Sequence, residues 1–287
     1  MKTAFIILAH KEPRQLGKLI RLIKTEKSGV FVHIDKKSNL ASFKKAFLKE
    51  GVNPDFLIQK INIVYSSYRY IDATLLLLQE AFQREYNYFV LLGGQDYPLK
   101  PIGEILYFFE QNSNTNFIEY EAIPTDRLGL KGLNRTNNYS FIVNGKNETL
   151  FPWKGHARDL SVKGKILNFG LWVWNFGKTT RTFPYNLQPY YSSQWWNISR
   201  EAVEHIFRFL VKHPKYIKYH KRALHPEEMF FQSIVLNNSI LKQKTTNNNL
   251  RYIKWIDGKK HPEYIDVKDI KIIEQDFLFA RKVKPVI

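Results

Sequence analysis

Three side chains suited to contacting a nucleotide stand directly after apolar stretches that have the character of strands. They are Asp35, Tyr65 and Asp96. Because ligands of parallel α/β sheets bind beyond the carboxyl ends of the strands, we expect these three side chains to lie together at one edge of the sheet. Carboxylates and an aromatic ring at such an edge are suited to holding a ribose and a base.

Two adjacent cations, Arg281 and Lys282, follow the apolar run Phe277–Ala280 near the end of the chain. A strand that brings both charges into a site would stabilise a departing diphosphate, because cationic side chains form strong charge-assisted hydrogen bonds with phosphate oxygens. A solvated basic tail is the alternative interpretation of the same spacing.

A base for an acceptor hydroxyl is available in the segment Pro226-Glu227-Glu228. The pattern predicts a helix over Pro226–Leu236, and an acidic side chain in its first turn is favoured by the helix dipole and can project into a cleft. Glu228 is the candidate base and Glu227 is its rival. Helix capping is an alternative explanation for both carboxylates.

Several other chemistries lack their usual sequence patterns. The chain has no Walker-type glycine loop, no GxGxxG after the first strand, no GxSxG and no HExxH spacing. Many sugar-nucleotide transferases hold a divalent cation with paired aspartates, whereas here Asp96 is the only Asp at the corresponding strand end. A single carboxylate binds a metal weakly, so we expect fixed cations, and no metal or other cofactor, to face the diphosphate.

The N-terminal third alternates between short apolar runs and amphipathic segments of helical length. This alternation predicts an α/β fold with a mostly parallel, Rossmann-like sheet flanked by helices. The predicted strands are Ala4–Ala9, Val30–Ile34, Ile61–Tyr65 and Tyr88–Leu92, and the predicted helices are Pro13–Lys24, Leu40–Leu48, Ile71–Arg84, Arg200–Lys212 and Pro226–Leu236. We expect one domain over residues 1–287, with a nucleotide-sugar-binding half at 1–123 and an acceptor and catalytic half at 124–287.

The composition indicates an anionic partner and a reducing compartment. Cysteine is absent, and no stretch reaches the ~20 apolar residues needed to span a bilayer. The formal charge of +18 leaves nucleic acid, an anionic membrane surface and phosphate-bearing small molecules open, and a general excess of lysine that only keeps the protein soluble is the alternative explanation. Cations and aromatic rings alternate over residues 150–190, as expected of an acceptor-binding region, a membrane-surface patch or an irregular part that packs its own rings.

Seven stretches, in the same order along almost the whole chain, resemble the core-2/I-branching N-acetylglucosaminyltransferase and peptide O-xylosyltransferase family. They are Ile7–His10, Val32–Ser38, Leu92–Lys100, Ser193–Trp196 with Ser199–Glu201, Pro226–Phe231, Asn248–Arg251 and Leu278–Lys282. No single stretch is specific, but the seven in order are. The chain departs from the family at Tyr65-Ser66-Ser67, where members often have Trp-Gly-Gly, and we expect this change to reshape the binding pocket.

The resemblance implies a GT-A type fold, a UDP-sugar donor, inversion at the anomeric carbon and no metal requirement. It implies that Glu228 is the catalytic base and that Asp35 contacts the nucleoside. The other expected nucleotide and diphosphate contacts are His10, Tyr65, Arg251, Arg281 and Lys282. The side chains expected to line the donor-sugar and acceptor pocket are Asp96, Gln194, Trp195 and Trp196.

Together these expectations describe a metal-independent transferase of N-acetylglucosamine, acting on a glycan in bacterial surface polysaccharide synthesis. A UDP-xylose- or UDP-hexose-dependent transferase of the same fold, a non-catalytic sugar-binding relative and a basic nucleic-acid-binding protein are the alternatives. The lack of cysteines and of an apolar anchor indicates a cytoplasmic protein whose first residue is Met1. We expect a lipid-linked glycan as one possible acceptor, peripheral contact with an anionic membrane face, and no nucleic acid partner.

Overall fold

A computed structural model describes residues 1–143, 146–150, 181–256, 262–266 and 276–284, together with positions 162, 166, 169, 170, 173, 268, 270 and 273. The strands are β1 Thr3–Ala9, β2 Ser28–Ile34, β3 Phe56–Ile58, β4 Tyr88–Gly93, β5 Tyr97–Pro98, β6 Asn116–Ile118, β7 Glu121–Ala122, β8 Tyr139–Val143, β9 Lys146–Leu150, β10 Tyr190–Tyr191, β11 Trp196–Ser199, β12 Thr245–Thr246, β13 Arg251–Ile253 and β14 Phe279–Arg281. The helices are α1 Pro13–Ile23, α2 Leu40–Lys49, α3 Arg69–Gln83, α4 Ile102–Gln111, α5 Leu133–Asn137, α6 Arg200–Lys212, α7 Pro214–His220, α8 Phe230–Leu236 and α9 Ser239–Gln243.

Seven of these strands form the main sheet, in the order β12-β6-β11-β4-β1-β2-β3. The pairs β4-β1, β1-β2, β2-β3 and β12-β6 are parallel, and β11 runs antiparallel between β4 and β6. Helices connect the parallel strands, as the alternation of the sequence predicts. The expected α/β fold with a mostly parallel sheet is therefore confirmed.

The central strand β1 is buried on both faces. Phe5 and Ile7 pack with apolar residues of α1, α2 and α4, whereas Ile6 and Leu8 pack with those of α3, α6 and α8. A parallel strand covered by helices on both sides reads as an unbroken apolar run, and this explains the opening stretch of the sequence. Along β1, polar side chains are therefore confined to the ends of the strand, and the candidate site lies at its carboxyl end.

The predicted strand Ile61–Tyr65 is wrong. The strand at that edge is β3, which comes earlier in the chain and pairs with β2. The Ile61 N–H donates a hydrogen bond to His33 Nε2 at 3.0 Å, and the Ile61 carbonyl accepts one from Lys36 N at 3.1 Å. These bonds draw the chain across the end of β2, so its apolar residues are buried without joining the sheet.

The predicted helix Pro226–Leu236 is also wrong in its first turn. Pro226–Glu228 form a short 3-10 turn, and α8 begins at Phe230 because Met229 has a non-helical φ of −136°. His225, just before the turn, has the left-handed values φ 48° and ψ 50°. Glu228 thus ends a tight turn and does not lie at the start of an α-helix, so the dipole argument for its position does not hold.

A second, three-stranded sheet brings the end of the chain to the main sheet. Its strand β14 lies between β13, which is parallel to it, and β5, which is antiparallel. Phe279 and Ala280 of β14 are fully buried, which excludes the solvated-tail interpretation of this segment. The strand instead directs Arg281 and Lys282 to the loop that follows β4.

Much of the basic and aromatic region 150–190 lies outside the described residues. The hairpin β8-β9 precedes it, and positions 162, 166, 169, 170 and 173 are helical. Within the described residues, the helices are all too short or too polar to cross a membrane. The division of the domain into halves at residue 123 stays a prediction.

Candidate functional site

His10 and Asp35 lie together at the carboxyl ends of β1 and β2. The Asp35 N–H donates to the Ala9 carbonyl at 2.8 Å, and the Asp35 carboxylate accepts from Lys37 N at 2.9 Å, which fixes the turn after β2. The pKa of His10 is lowered, first by its partial burial and then by nearby cations, whereas Asp35 acts in the opposite direction. Both residues are thus at the sheet edge predicted for them.

Asp96 follows β4 and is fully buried. Its Oδ1 accepts a hydrogen bond from Arg281 at 2.5 Å, and its Oδ2 accepts from Gly93 N at 3.0 Å and lies 3.6 Å from Arg251 Nε. The carboxylate is therefore enclosed by two guanidinium groups and a backbone amide. This placement makes Asp96 the support of Arg281 and leaves it no contact with a sugar, contrary to the expected pocket role.

Gly93 and Gly94 are required by this close packing. A Cβ on Gly93 would lie 2.1 Å from Nη1 of Arg281 and 3.1 Å from the ring of Trp195. A Cβ on Gly94 would lie 2.8 Å from the Cβ of Ala9. Any side chain at Gly93 would consequently push the guanidinium away from Asp96.

Arg251 is a second buried support. Its side chain is 0% exposed, and its guanidinium donates to the carbonyls of Asn249, at 3.0 Å, and Leu91. Burial lowers the pKa of Arg251 to about 10, and the carboxylate of Asp96 opposes that shift. The expected direct contact with a diphosphate is not compatible with this burial. Arg251 adds positive charge beneath the site.

Arg281 and Lys282 form what we call the cationic face. The guanidinium of Arg281 lies 4.1 Å from the centre of the Trp195 ring, and 18% of its side chain is exposed. Among the residues that the structure describes, the Lys282 ammonium has no hydrogen-bond or ion-pair partner, and its pKa is lowered first by burial and then by Arg281. Neighbouring like charges of this kind are relieved when an anion binds, as a diphosphate would.

The three residues at 194–196 have different surroundings. Trp195 packs against the cationic face, whereas Trp196 is fully buried and packs against Phe231 with ring centres 5.5 Å apart. Trp196 therefore belongs to the core and does not line the site, contrary to expectation. Gln194 is half-buried and comes two residues after Ser192, whose N–H donates to the Glu228 carbonyl at 2.9 Å.

The candidate base Glu228 is held in an ion pair with Arg135 of α5. Arg135 also lies over the ring of Tyr191, 4.7 Å from its centre. Burial raises the pKa of Glu228; Arg135 opposes this effect and Glu227 adds to it. A half-buried carboxylate whose pKa is raised towards neutrality has the properties of a general base.

His225 and Glu227 complete the surroundings of Glu228. The His225 Nδ1 lies 3.3 Å from Oε1 of Glu227 and 4.0 Å from Oε1 of Glu228. Ligand atoms of these three residues lie within 4.8 Å of one another, which is a metal-ligand spacing. However, Arg135 already neutralises the Glu228 carboxylate, so a metal ion would meet a cation at the same oxygen atoms. We therefore do not identify these residues as metal ligands.

Two tyrosines relate this group to the sheet edge. Tyr65, expected at the nucleotide, instead has its ring 5.5 Å from that of His225, and its pKa is raised first by burial and then by Glu228. The pKa of Tyr70 is raised by burial and next by Glu227, while Arg281 opposes the shift. The Tyr70 phenol is thus influenced by Glu227, the neighbour of the candidate base, and by Arg281 of the cationic face.

Four residues of the site were not found from the sequence: Arg135, His225, Tyr70 and Tyr191. His225 had a usable signal, because it directly precedes Pro226-Glu227-Glu228. Arg135 had no such signal, because it lies in a stretch without periodicity. It contacts Glu228, 93 residues further along the chain, only in the folded structure.

Comparison with known proteins identifies the family of the chain. The model of the family described as "Core-2/I-Branching enzyme" matches residues 3–278. The chain is 22% identical to xylosyltransferase 2 of Pan troglodytes over 89% of its own length and 27% of that protein. It is 23% identical to the beta-glucuronosyltransferase GlcAT14A of Arabidopsis thaliana, over 79% of the chain and 47% of the relative.

A third relative is the beta-1,3-galactosyl-O-glycosyl-glycoprotein beta-1,6-N-acetylglucosaminyltransferase of Bos taurus, which is 25% identical over 88% of this chain and 55% of that protein. The chain thus spans between about a quarter and just over half of these relatives. The family match and the mostly parallel sheet confirm both the expected family and the expected GT-A type fold. The chain belongs to the Core-2/I-Branching enzyme family.

Proposed function

We propose that this chain is an inverting transferase that moves a sugar from a UDP-sugar to a hydroxyl group of a glycan. The observation that carries the proposal is the combination of the cationic face with a half-buried carboxylate, Glu228. The segment 192–195 contacts both, since the Ser192 N–H donates to the Glu228 carbonyl and Trp195 packs against Arg281. A single displacement needs these two centres, one for the leaving diphosphate and one for the incoming hydroxyl.

The proposed reaction is one displacement at the anomeric carbon. Glu228 accepts the proton of the acceptor hydroxyl while the hydroxyl oxygen bonds to the anomeric carbon. The bond between this carbon and the diphosphate oxygen breaks on the opposite side, and its electron pair leaves with UDP. Arg281 and Lys282 stabilise the charge that develops there, an effect worth ~3–4 kcal/mol per positioned donor.

Arg135 leaves one oxygen of the base available. It binds Oε2 of Glu228, whereas Oε1 lies 4.0 Å from the nearest nitrogen of His225, which is too far for a hydrogen bond. An acceptor hydroxyl can therefore donate to Oε1 without displacing Arg135. The guanidinium then orients the carboxylate in the same way during each turnover.

Metal independence is proposed from the state of Asp96. Metal-assisted transfer requires a carboxylate with free lone pairs facing the diphosphate, but both oxygens of Asp96 are already bonded or close to nitrogen donors. The positive charge of Arg281 and Lys282 is placed where a metal would otherwise act. Asp35, at the neighbouring strand end, is proposed to bind the nucleoside together with His10.

N-acetylglucosamine is the donor sugar that we propose, with xylose or a hexose as the alternatives. The names of the relatives include xylosyl, glucuronosyl and N-acetylglucosaminyl transferases, so the family alone leaves the sugar open. The half-buried Gln194, close to Glu228 in the fold, is the side chain that we propose to contact the sugar.

The proposed acceptor is a glycan of a bacterial surface polysaccharide, in a lipid-linked form that the enzyme meets at the cytoplasmic face of the membrane. Four apolar side chains at helical positions support membrane contact, since each is more than half exposed: Val162, Ile166, Phe169 and Val173. Their spacing places them on one face of a helix. Lysines at 163 and 165 add the positive charge that favours an anionic bilayer.

A thermal-shift experiment tests the donor site. The protein is heated with UDP, UDP-N-acetylglucosamine, UDP-xylose, UDP-galactose or UDP-glucose, each with and without EDTA. Saturation at one hundred times Kd should raise Tm by on the order of 5–10 °C, and EDTA should not change this shift. A shift that appears only with manganese would contradict the metal-independent site.

The Glu228→Gln variant separates binding from chemistry. We expect it to keep the thermal shift with UDP, because Glu228 does not belong to the cationic face, while release of UDP from the donor falls by at least about 100-fold. Undiminished turnover in this variant would remove Glu228 as the base. No shift with any nucleotide would instead remove the proposed donor site.

A further inference from the structure

Glu227 is more deeply buried than its neighbour Glu228. The residue is only 6% exposed, and its Oε2 is fully buried with no hydrogen-bond partner in the part of the chain that the structure describes. Burying a carboxylate with an unsatisfied oxygen is costly, and proteins retain such groups mainly where they act. The 3-10 turn Pro226–Glu228 would tolerate a small or amide side chain at this position.

The imidazole ring of His225 forms a hydrogen bond with Glu227. Its Nδ1–H donates to Oε1 of Glu227 across 3.3 Å. The backbone of His225 is held because its backbone N–H donates to the Ser66 carbonyl at 3.3 Å. The imidazole ring packs edge-on against the ring of Tyr65. The left-handed backbone of His225 turns this side chain back over the following carboxylates.

We propose that His225 and Glu227 are a positioning pair that keeps a second carboxylate beside Glu228 and thereby sets the strength of Glu228 as a base. The inference rests on the function proposed above and concerns two residues that the proposed displacement does not use. Neither touches the reacting atoms, so both act through Glu228. His225 supplies the hydrogen bond, and Glu227 supplies the negative charge.

The charges around Glu228 show why a second carboxylate is needed. The groups facing it are the guanidinium of Arg135, the carboxylate of Glu227, the imidazole of His225 and the phenols of Tyr65 and Tyr191. Burial is the largest influence on the pKa of Glu228 and raises it, whereas the guanidinium of Arg135 favours the charged form and lowers it. Glu227 opposes Arg135, so the two carboxylates exceed the guanidinium by one negative charge, which favours proton uptake.

The isosteric variant Glu227→Gln tests this pair. It keeps the shape and a hydrogen-bonding oxygen but removes the charge, so the pKa of Glu228 should fall. We expect the acid limb of kcat for UDP release from UDP-N-acetylglucosamine to move to lower pH by about one unit, and kcat on the plateau to fall roughly tenfold. KM for the donor should not change, because the cationic face is untouched.

A measurement without turnover separates this inference from the proposed function. Protein labelled with ¹³C at glutamate carboxyl carbons is titrated by NMR, and the signal missing from Glu228→Gln is assigned to Glu228. In Glu227→Gln its midpoint should lie about one pH unit lower than in the unchanged protein. An unmoved midpoint in a folded variant would overturn the inference, even if the enzyme transfers sugar.

His225→Asn provides the second variant. Asparagine retains an N–H donor for Glu227 and accepts a left-handed backbone readily, but it removes the imidazole. The Glu228 midpoint should stay raised, because the charge of Glu227 remains. A midpoint that falls as far as in Glu227→Gln would show that the imidazole, and not the carboxylate, sets the basicity, and would contradict the assigned roles.

Discussion

Replacing Gly93 by alanine should disconnect the cationic face from its support. The new Cβ would lie 2.1 Å from Nη1 of Arg281, so the guanidinium must retreat by about 1 Å or more to reach an ordinary contact distance. Retreat breaks the 2.5 Å hydrogen bond to Asp96, and the Trp195 ring at 3.1 Å blocks a small sideways adjustment. Asp96, fully buried, would be left with only one guanidinium partner.

The magnitudes follow from that geometry. A buried carboxylate that loses one charged partner costs about 1–3 kcal/mol of unfolding free energy, which lowers Tm by several degrees without unfolding the domain. A displaced Arg281 no longer meets the diphosphate, and loss of one such donor lowers kcat by about 100-fold or more. The thermal shift with UDP should shrink at the same time, because the same guanidinium binds the ground-state nucleotide.

The assay is UDP release with the best donor from the thermal-shift series, measured beside a matched variant. Gly103→Ala is that control: it lies in α4, and a Cβ there has nothing within 4 Å. Its activity should be unchanged and its stability equal or slightly higher, since alanine favours a helix by up to ~1 kcal/mol. Full activity and a full UDP shift in Gly93→Ala would refute the role assigned to the Asp96–Arg281 contact.

Three further outcomes are expected. Lys282→Ala should weaken UDP binding by about tenfold, more strongly at low salt. The exposed side chain of Lys284 pairs with Asp266, so Lys284→Ala should leave binding unchanged in the same titration. His220 is fully buried with a pKa lowered to about 3, so the unfolded chain binds the extra proton below about pH 6.5. The contribution of neutral His220 to stability is therefore complete above that pH and is lost, by up to ~1.4 kcal/mol per pH unit, as the pH falls. Urea unfolding at pH 7 and 5.5 would detect this loss, and an equal unfolding free energy at both pH values would contradict it. Ile166→Glu should reduce cosedimentation with anionic liposomes, and the equally acidic Val211→Glu on α6 should not; equal losses would argue against a specific membrane face.

The sequence predicted the elements whose signal is local. Strands buried on both faces and helices with one apolar side were recognisable from spacing, so β1, β2, β4 and the helices α1, α2, α3 and α6 were found near their true ends, whereas α4, α5, α7 and α9 were not predicted. The predicted strand Ile61–Tyr65 is wrong because Ile63 and Val64 are buried in a loop over the end of β2, outside the sheet. The helix predicted to start at Pro226 is wrong in its first turn because His225 has a left-handed backbone conformation. A histidine gives no sequence signal for that conformation.

For the candidate site, the sequence indicated which charged residues take part, but it did not indicate whether their side chains face the interior or the site. Arg281, Lys282, Glu228 and Asp35 were found, because charged residues next to apolar runs are conspicuous. Asp96 and Arg251 were found as well, but only the fold shows that they face inward and bind each other. Such a distinction depends on contacts between residues far apart in the chain, and no local pattern encodes it.

The inward-facing Asp96 also explains how a site can be rich in positive charge without being unstable. Three cationic groups at one sheet edge would repel one another if all faced solvent. Here Arg251 and Arg281 share one buried carboxylate, so this buried group keeps one net positive charge, and Lys282 adds a second one beside it. Glu228 is arranged in the opposite sense, with Arg135 cancelling one carboxylate and Glu227 supplying an excess negative charge. Each centre thus carries an uncompensated charge of the sign that its partner in a displacement requires, positive for the departing diphosphate and negative for the proton.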